Sequence, residues 1–236
     1  DGVVWSSAFH PTARVPEHYE AVFTQGRAEF KRRDSQIETH TEICVSPEDD
    51  VEIRRLKLSN QTQGRRRIEL TSYAEMVLAP RNADLAHRVF NSLFVRTEIL
   101  PEAQAILFSR RKRETSDPDI WVFHLMIVPG RHGDLSYETD RERFLGRGRS
   151  PRNPQAVERS KGTLTRLSNT SGAVLDPIAS IRAVIDVDVD EPAVAHYVTG
   201  AAATREQALA LVDKYRDSHF VDRAFDMAWS HSQIVL

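Results

Sequence analysis

From Tyr19 to Ala203 the chain is a succession of short strand-like runs separated by turn residues. After Gly200 the apolar period changes from that of a strand to that of a helix. Many half-apolar strands with no helix between them can bury their apolar faces only by stacking sheets. The fold class expected is therefore mainly β: a large two-sheet antiparallel β-sandwich over residues 1–203, followed by linker helices over 204–236.

The early elements can be read individually. Glu20–Phe23 turns at Gln25-Gly26 into Arg27–Phe30, Ile37–Val45 forms the next strand, and Ser46-Pro47-Glu48-Asp49-Asp50 is a turn. Val51 and Ile53 have the opposite parity to Leu56 and Leu58, which predicts a bulge near Arg54-Arg55. Ile68, Leu70, Ala74, Met76 and Leu78 share one face of a long strand. Trp121–Val128 is apolar on both parities and reads as a central strand covered on both sides. Ile181 to Val189 alternates with Arg182, Asp186 and Asp188, the pattern of a half-buried strand. Thr204-Arg205-Glu206-Gln207 is a capping box opening a helix through Arg216, and a second helix from His219 aligns Val221, Phe225, Ala228, Trp229 and Val235. The start without Met and the apolar Gln233–Leu236 ending suggest a piece of a longer chain.

Composition narrows the function classes. With 236 residues, 40% hydrophobic content and a formal charge of -2, the chain can bury a large core and offers no electrostatic track for nucleic acid. It contains no apolar run long enough to span a membrane and no export signal. Cys44 is the single cysteine, so an internal disulfide is excluded; lying in a strand without an activating base, it reads as packing. No cofactor or metal is called for. Asp186-Val187-Asp188-Val189-Asp190-Glu191 lacks the glycine of a calcium loop and reads as a polar face, and His124, in a doubly apolar strand, reads as structural.

The segment Tyr137–Ser150 runs from a strand into an arginine-studded loop that carries Phe144 between charges. Guanidinium forks with an aromatic face suit a sugar or phosphate ligand. His87 and Phe90, following Ala83-Asp84-Leu85-Ala86, are placed in a second loop where an imidazole and a ring would meet a sugar.

Together, Val45–Leu56, Leu70-Thr71-Ser72-Tyr73-Ala74-Glu75, Ala83-Asp84-Leu85-Ala86-His87, the Thr139–Arg149 loop, Leu175-Asp176-Pro177-Ile178 and Ala228-Trp229 occur in order along nearly the whole chain. In these strings the chain resembles the β-sandwich, or super-sandwich, that precedes the catalytic barrel in inverting glycoside phosphorylases of the cellobiose and chitobiose phosphorylase type. It is most similar to the phosphorylase-like region of bacterial cyclic β-1,2-glucan synthases. The resemblance implies a non-catalytic domain that positions a glucan or oligosaccharide and packs on an (α/α)6 barrel of the parent chain. That barrel would hold the catalytic acid beyond Leu236. It further implies a homodimer in which the loop reaches the neighbouring substrate site, with Arg143, Phe144 and Arg149 as contacts. The parent would be a glycosyltransferase or glycoside phosphorylase of the inner membrane, with this region cytoplasmic. Here the chain departs from the simplest phosphorylases in its basic stretch Arg147–Arg152.

Two other readings compete. A self-sufficient mutarotase-like epimerase would need His87, His124 or His196 to converge with Glu75. A free-standing carbohydrate-binding module would need aromatic platforms, which are sparse.

Overall fold

The computed structural model describes residues 2–112, 115, 117–129, 135–158 and 166–234. Val235 and Leu236, the end of the expected helical stripe, lie outside them. The strand-like runs become two antiparallel sheets. The larger contains, in spatial order, β1 (His18–Thr24), β2 (Arg27–Asp34), β3 (Ile37–Val45), β4 (Val51–Asn60), β13 (Ala193–Ala202), β9 (Trp121–Ile127), β8 (Ala105–Arg110), β7 (Val95–Leu100) and β11 (Gly172–Ala173). In the smaller, β12 (Pro177–Val187) runs between β10 (Ser136–Asp140) on one side and β5 (Arg66–Thr71) and β6 (Ala74–Glu75) on the other.

The first hairpin and β3 form where the turn residues place them, with Thr24 opposite Arg27 and Ile37 opposite Asp34. The bulge expected near Arg54-Arg55 is absent. β4 pairs β3 and β13 in unbroken register through that point. Its change of parity has another cause: Val51 and Ile53 feed a core on one side of the large sheet, while Leu56 and Leu58 feed a core on the other. One straight strand serves two cores, because both faces of the sheet are covered at different places along it.

One cover is the small sheet. Ile181, Ala183, Ile185 and Val187 of β12 meet Leu56, Leu58, Ile106, Phe108 and Met126 of the large sheet. The other cover is helical. Helix α3 (Arg205–Tyr215) starts at Thr204, whose side chain accepts a hydrogen bond from Gln207 N, as the capping box predicts. Helix α4 (Ser218–Ile234) follows it. Val212, Tyr215, Val221, Phe225 and Ala228 close on Ile53, Leu107, Phe123 and Leu125. Trp229 instead is 57% exposed. Contact here is tight: a Cβ added to Gly200 of β13 would lie 2.6 Å from the Phe123 ring and 2.7 Å from a Val51 methyl carbon.

Two further readings change. The long strand expected from Ile68 breaks at Ser72-Tyr73, where the Ser72 hydroxyl accepts the Ile181 N–H at 2.9 Å and interrupts the ladder. β12 is also not half-solvated at its centre. Arg182 is 2% exposed, donates to Thr71 Oγ1 at 2.9 Å and to the Ala156 carbonyl at 2.7 Å, and lies 3.9 Å from Glu69. The segment after β10 roofs that face of the small sheet, so alternation there marks a second buried side rather than water.

Candidate functional site

The arginine-rich segment leaves β10 through a set of backbone clamps. Glu138 is buried, and its Oε1 accepts the N–H groups of Thr139 and Asp140, each at 3.0 Å, while the Ser168 hydroxyl donates to its other oxygen. Asp140 then caps the short helix α2 (Arg141–Leu145), its Oδ1 accepting from Glu142 N at 2.9 Å and Arg143 N at 3.4 Å. Gly146 ends the turn at φ +81°, where a side chain would be strained and would run into Gln155.

Phe144 does not lie exposed between charges. It is 3% exposed, and its ring packs on Tyr73 with centroids 5.0 Å apart, in a small core with Leu145, Leu167 and Ile178. Within a one-turn helix, residues one apart point in different directions, so Arg143 faces out while Phe144 anchors the turn. The role of Phe144 as a direct contact is therefore corrected to that of an anchor. Of the other loop arginines, Arg143 has a side chain 62% exposed and lies 4.0 Å from Asp140, and Arg149 pairs Glu158 at 2.6 Å.

His87 and Phe90 do not occupy a loop. They lie on helix α1 (Arg81–Ser92), which is kinked at His87 by a non-helical backbone (φ -149°, ψ 61°). Leu85, Val89 and Phe90, with Leu93 just past the helix, form an exposed apolar row. The signal was present as an i, i+4, i+8 spacing, but on a solvent-facing side.

Glu75 joins these two segments. Its carboxylate accepts the Tyr73 hydroxyl at 2.9 Å and Arg141 Nε at 2.9 Å, and it also pairs Arg88, the residue next to His87. Burial opposes its ionisation, but the bonds from Arg141 and Tyr73 and the charges of Arg141 and Arg88 outweigh it, holding its pKa below the ordinary carboxylate value. Burial, with the hydrogen bond to Glu75, pushes the Tyr73 phenol up to about 12. Arg141 reaches Asp176 at 3.6 Å and donates its own N–H to the Asp176 carbonyl at 3.0 Å. Arg143, His87 and Phe90 thus stand on segments locked to one carboxylate, while Arg149 is held separately.

Such a carboxylate, ionised and bound by two guanidinium groups, is a structural tie and a poor general base. The histidines do not converge on it. His124 sits between Thr199 Oγ1 at 2.8 Å and Ser72 Oγ at 2.9 Å, and burial drives its pKa down to about 4. His196 falls to about 4 as well, through burial and the Arg55 charge. Both are neutral, structural imidazoles at pH 7. Cys44 is buried with its thiol pushed up to about 12, as packing requires. Among the described residues one cluster, Glu29–His40–Glu42, brings metal-ligating atoms within 4.8 Å of one another. Its carboxylates already bind Arg27 at 2.6 Å and His40 at 2.8 Å, which makes it an ion-pair network on β2 and β3.

Residues 1–218 match the model of the glycosyl hydrolase 94 supersandwich domain. The chain is 37% identical to the cyclic β-(1,2)-glucan synthase NdvB of Rhizobium meliloti (strain 1021) across 98% of its own length, and covers 8% of that protein. It is 24% identical to the solabiose phosphorylase of Paenibacillus borealis over 90% of its length, covering 26% of that enzyme. Among solved structures, a putative kojibiose phosphorylase from human microbiome superposes with a TM-score of 0.51 over 88% of this chain and 23% of the other, at 7% identity, a likeness of fold. The chain therefore spans a small part of the proteins it matches.

Proposed function

The chain belongs to the glycosyl hydrolase 94 supersandwich family, and on that premise we propose that it is a non-catalytic domain of a cyclic β-1,2-glucan synthase or related phosphorylase. It positions glucan beside a catalytic barrel. The observation that carries this reading is the way Glu75 ties α1 and α2 together. Two exposed groups suited to sugar hydroxyls and ring faces, Arg143 and the His87/Phe90 pair, ride on backbone fixed by buried anchors. Arg149, held separately by Glu158, is the third candidate contact in this reading. The exposed apolar residues Leu85, Val89 and Leu93 are the face this reading assigns to the barrel. In this reading the parent is an inner-membrane synthase with this domain on its cytoplasmic side; no helix among the described residues is long and apolar enough to cross a membrane.

Calorimetric titration with linear and cyclic β-1,2-glucans, against a cello-oligosaccharide control, tests the proposal. The expected result is saturable binding of the β-1,2-glucans that weakens about tenfold or more in the Arg143→Ala/Arg149→Ala variant. Binding that this double substitution leaves unchanged would remove the loop from the site. A polarimetric anomerisation assay is expected to give no rate above buffer. Catalysis there, lost in His87→Ala, would favour an epimerase.

A further inference from the structure

β1 is the outermost strand of the large sheet, and its open side differs from the other sheet edges among the described residues. β11, at the far end, is two residues long; β10 carries a register shift between Glu138 and Asp140; β5 opens with Arg66 and Arg67 and stops at Thr71. Short, bulged or charged edges resist pairing with another chain. β1 has none of these devices. It pairs β2 without a break from His18 to Thr24 and contains no proline, lysine or arginine, and every residue but Val22 is exposed. Thr24 and Arg27 flank a two-residue turn and so form a hydrogen-bonded pair; by alternation Val22, Glu20 and His18 also bond inward to β2. The N–H and C=O groups of Tyr19, Ala21 and Phe23 therefore point out along the open edge. The side chains of the same three residues lie on the small-sheet face, beyond the small sheet itself. There Tyr19 and Phe23, 37% and 72% exposed, meet the Phe30 ring at centroid distances of 6.5 and 5.8 Å.

We infer that β1 docks a second copy of this chain, the two β1 strands pairing antiparallel about a two-fold axis at Ala21. The strand is self-complementary about that residue. Ala21 faces Ala21 and Tyr19 faces Phe23 of the partner subunit, so the outward N–H and C=O groups of all three residues satisfy one another. Two cross-strand aromatic pairs form at once, and the small side chain at the axis lets the rings close over it. On the opposite face Glu20, which its own chain's Lys31 holds at 3.6 Å, faces Val22, and His18 faces Thr24; no like charges stand directly opposed. Other registers are worse. An axis at Glu20 would oppose two carboxylates, and an axis at Val22 would leave Tyr19 beyond the end of the other strand. A sugar or an apolar ligand could use the rings but would leave the row of edge backbone groups to water. This edge lies at the opposite end of the large sheet from β7, whose Thr97 bonds Thr139 of β10 just before the Arg143 loop. The contact is therefore not made by that loop, and the inference does not depend on glucan binding.

Sedimentation velocity of the chain between about 1 μM and about 1 mM tests this, and a reversible rise to twice the chain mass is expected. Ala21→Pro deletes an outward N–H and leaves the bonds to β2 in place. Ala21→Lys sets two ammonium groups against each other on the axis. Each substitution is expected to raise the dimer dissociation constant about tenfold or more, with the far-UV circular dichroism of the folded chain retained. Ala21→Cys adds a readout of register. The Cα atoms of a hydrogen-bonded antiparallel pair lie about 5.5 Å apart, within disulfide range, so this variant should give a covalent dimer on mild oxidation. Val22→Cys, on the other face and off the axis, should not. The inference is overturned by a chain that stays monomeric over the whole range, by a dimer that Ala21→Lys leaves as tight as before, or by cross-linking through Val22→Cys but not Ala21→Cys.

Discussion

The two coverings of the large sheet differ in kind although the same strands supply both. On the helical side, Ile53, Phe123, Leu125 and Val198 meet Val212, Val221 and Phe225, and the fit leaves no room for a methyl group at Gly200. On the small-sheet side, the apolar core gives way to a layer of Ser72, His124 and Thr199, the unpartnered Thr41 hydroxyl and Glu69 Oε1, and an open cavity. The loop carrying Arg143 hangs from this second covering too. The helical face is closely packed, and the glucan contacts proposed above lie on the side where packing is less complete.

That contrast can be broken or sharpened by substitution. The largest effect is expected for Phe123→Ala, which empties the helical core and should cost about 3–5 kcal/mol in denaturant unfolding. Acidification acts on both faces. His124 and His196 have folded pKa values of about 4, below the ordinary 6.5, so the unfolded chain binds the extra protons. Their contribution is therefore fully present above pH 6.5 and is lost as pH falls toward 4. Moving from pH 7 to pH 5.5 should cost about 1 kcal/mol for each histidine, measurable as a fall in urea midpoint. Asp140→Ala removes the cap that starts α2 and should cost about 1 kcal/mol while lowering glucan affinity through a loosened loop. Arg143→Ala should change stability by less than about 0.5 kcal/mol, because its side chain is largely exposed, yet weaken glucan binding. A stability loss larger than that of Asp140→Ala would show that Arg143 is an anchor rather than a contact.

The helical covering was the more legible of the two in the sequence. Apolar parity, the Gln25-Gly26 turn and the Thr204 cap are local signals, and the sandwich class, β1 to β3 and the start of α3 followed from them. The small-sheet side depends on contacts remote in sequence. Phe144 is buried because Tyr73 lies opposite it, and Arg182 because the chain around Ala156 crosses above it; neither neighbour can be inferred from local pattern. The parity switch in β4 was visible, but one sequence pattern fits both a bulge and a strand shared by two cores. Helices α1 and α2 had local signals, an apolar i, i+4 spacing and an Asp140 cap ending at Gly146, overridden by the charged, loop-like composition around them. Candidate contacts were thus found by residue type, while the tie through Glu75 that brings α1 and α2 together needed the fold.

The most direct test of a glucan-positioning surface on the small-sheet side is amide NMR of the chain during titration with linear β-1,2-glucan. Saturable shifts are predicted for residues 141–149 and 87–90, with α3 and α4 unmoved. Shifts confined to α3 and α4, or none at ligand concentrations of about 10 mM, would contradict the account.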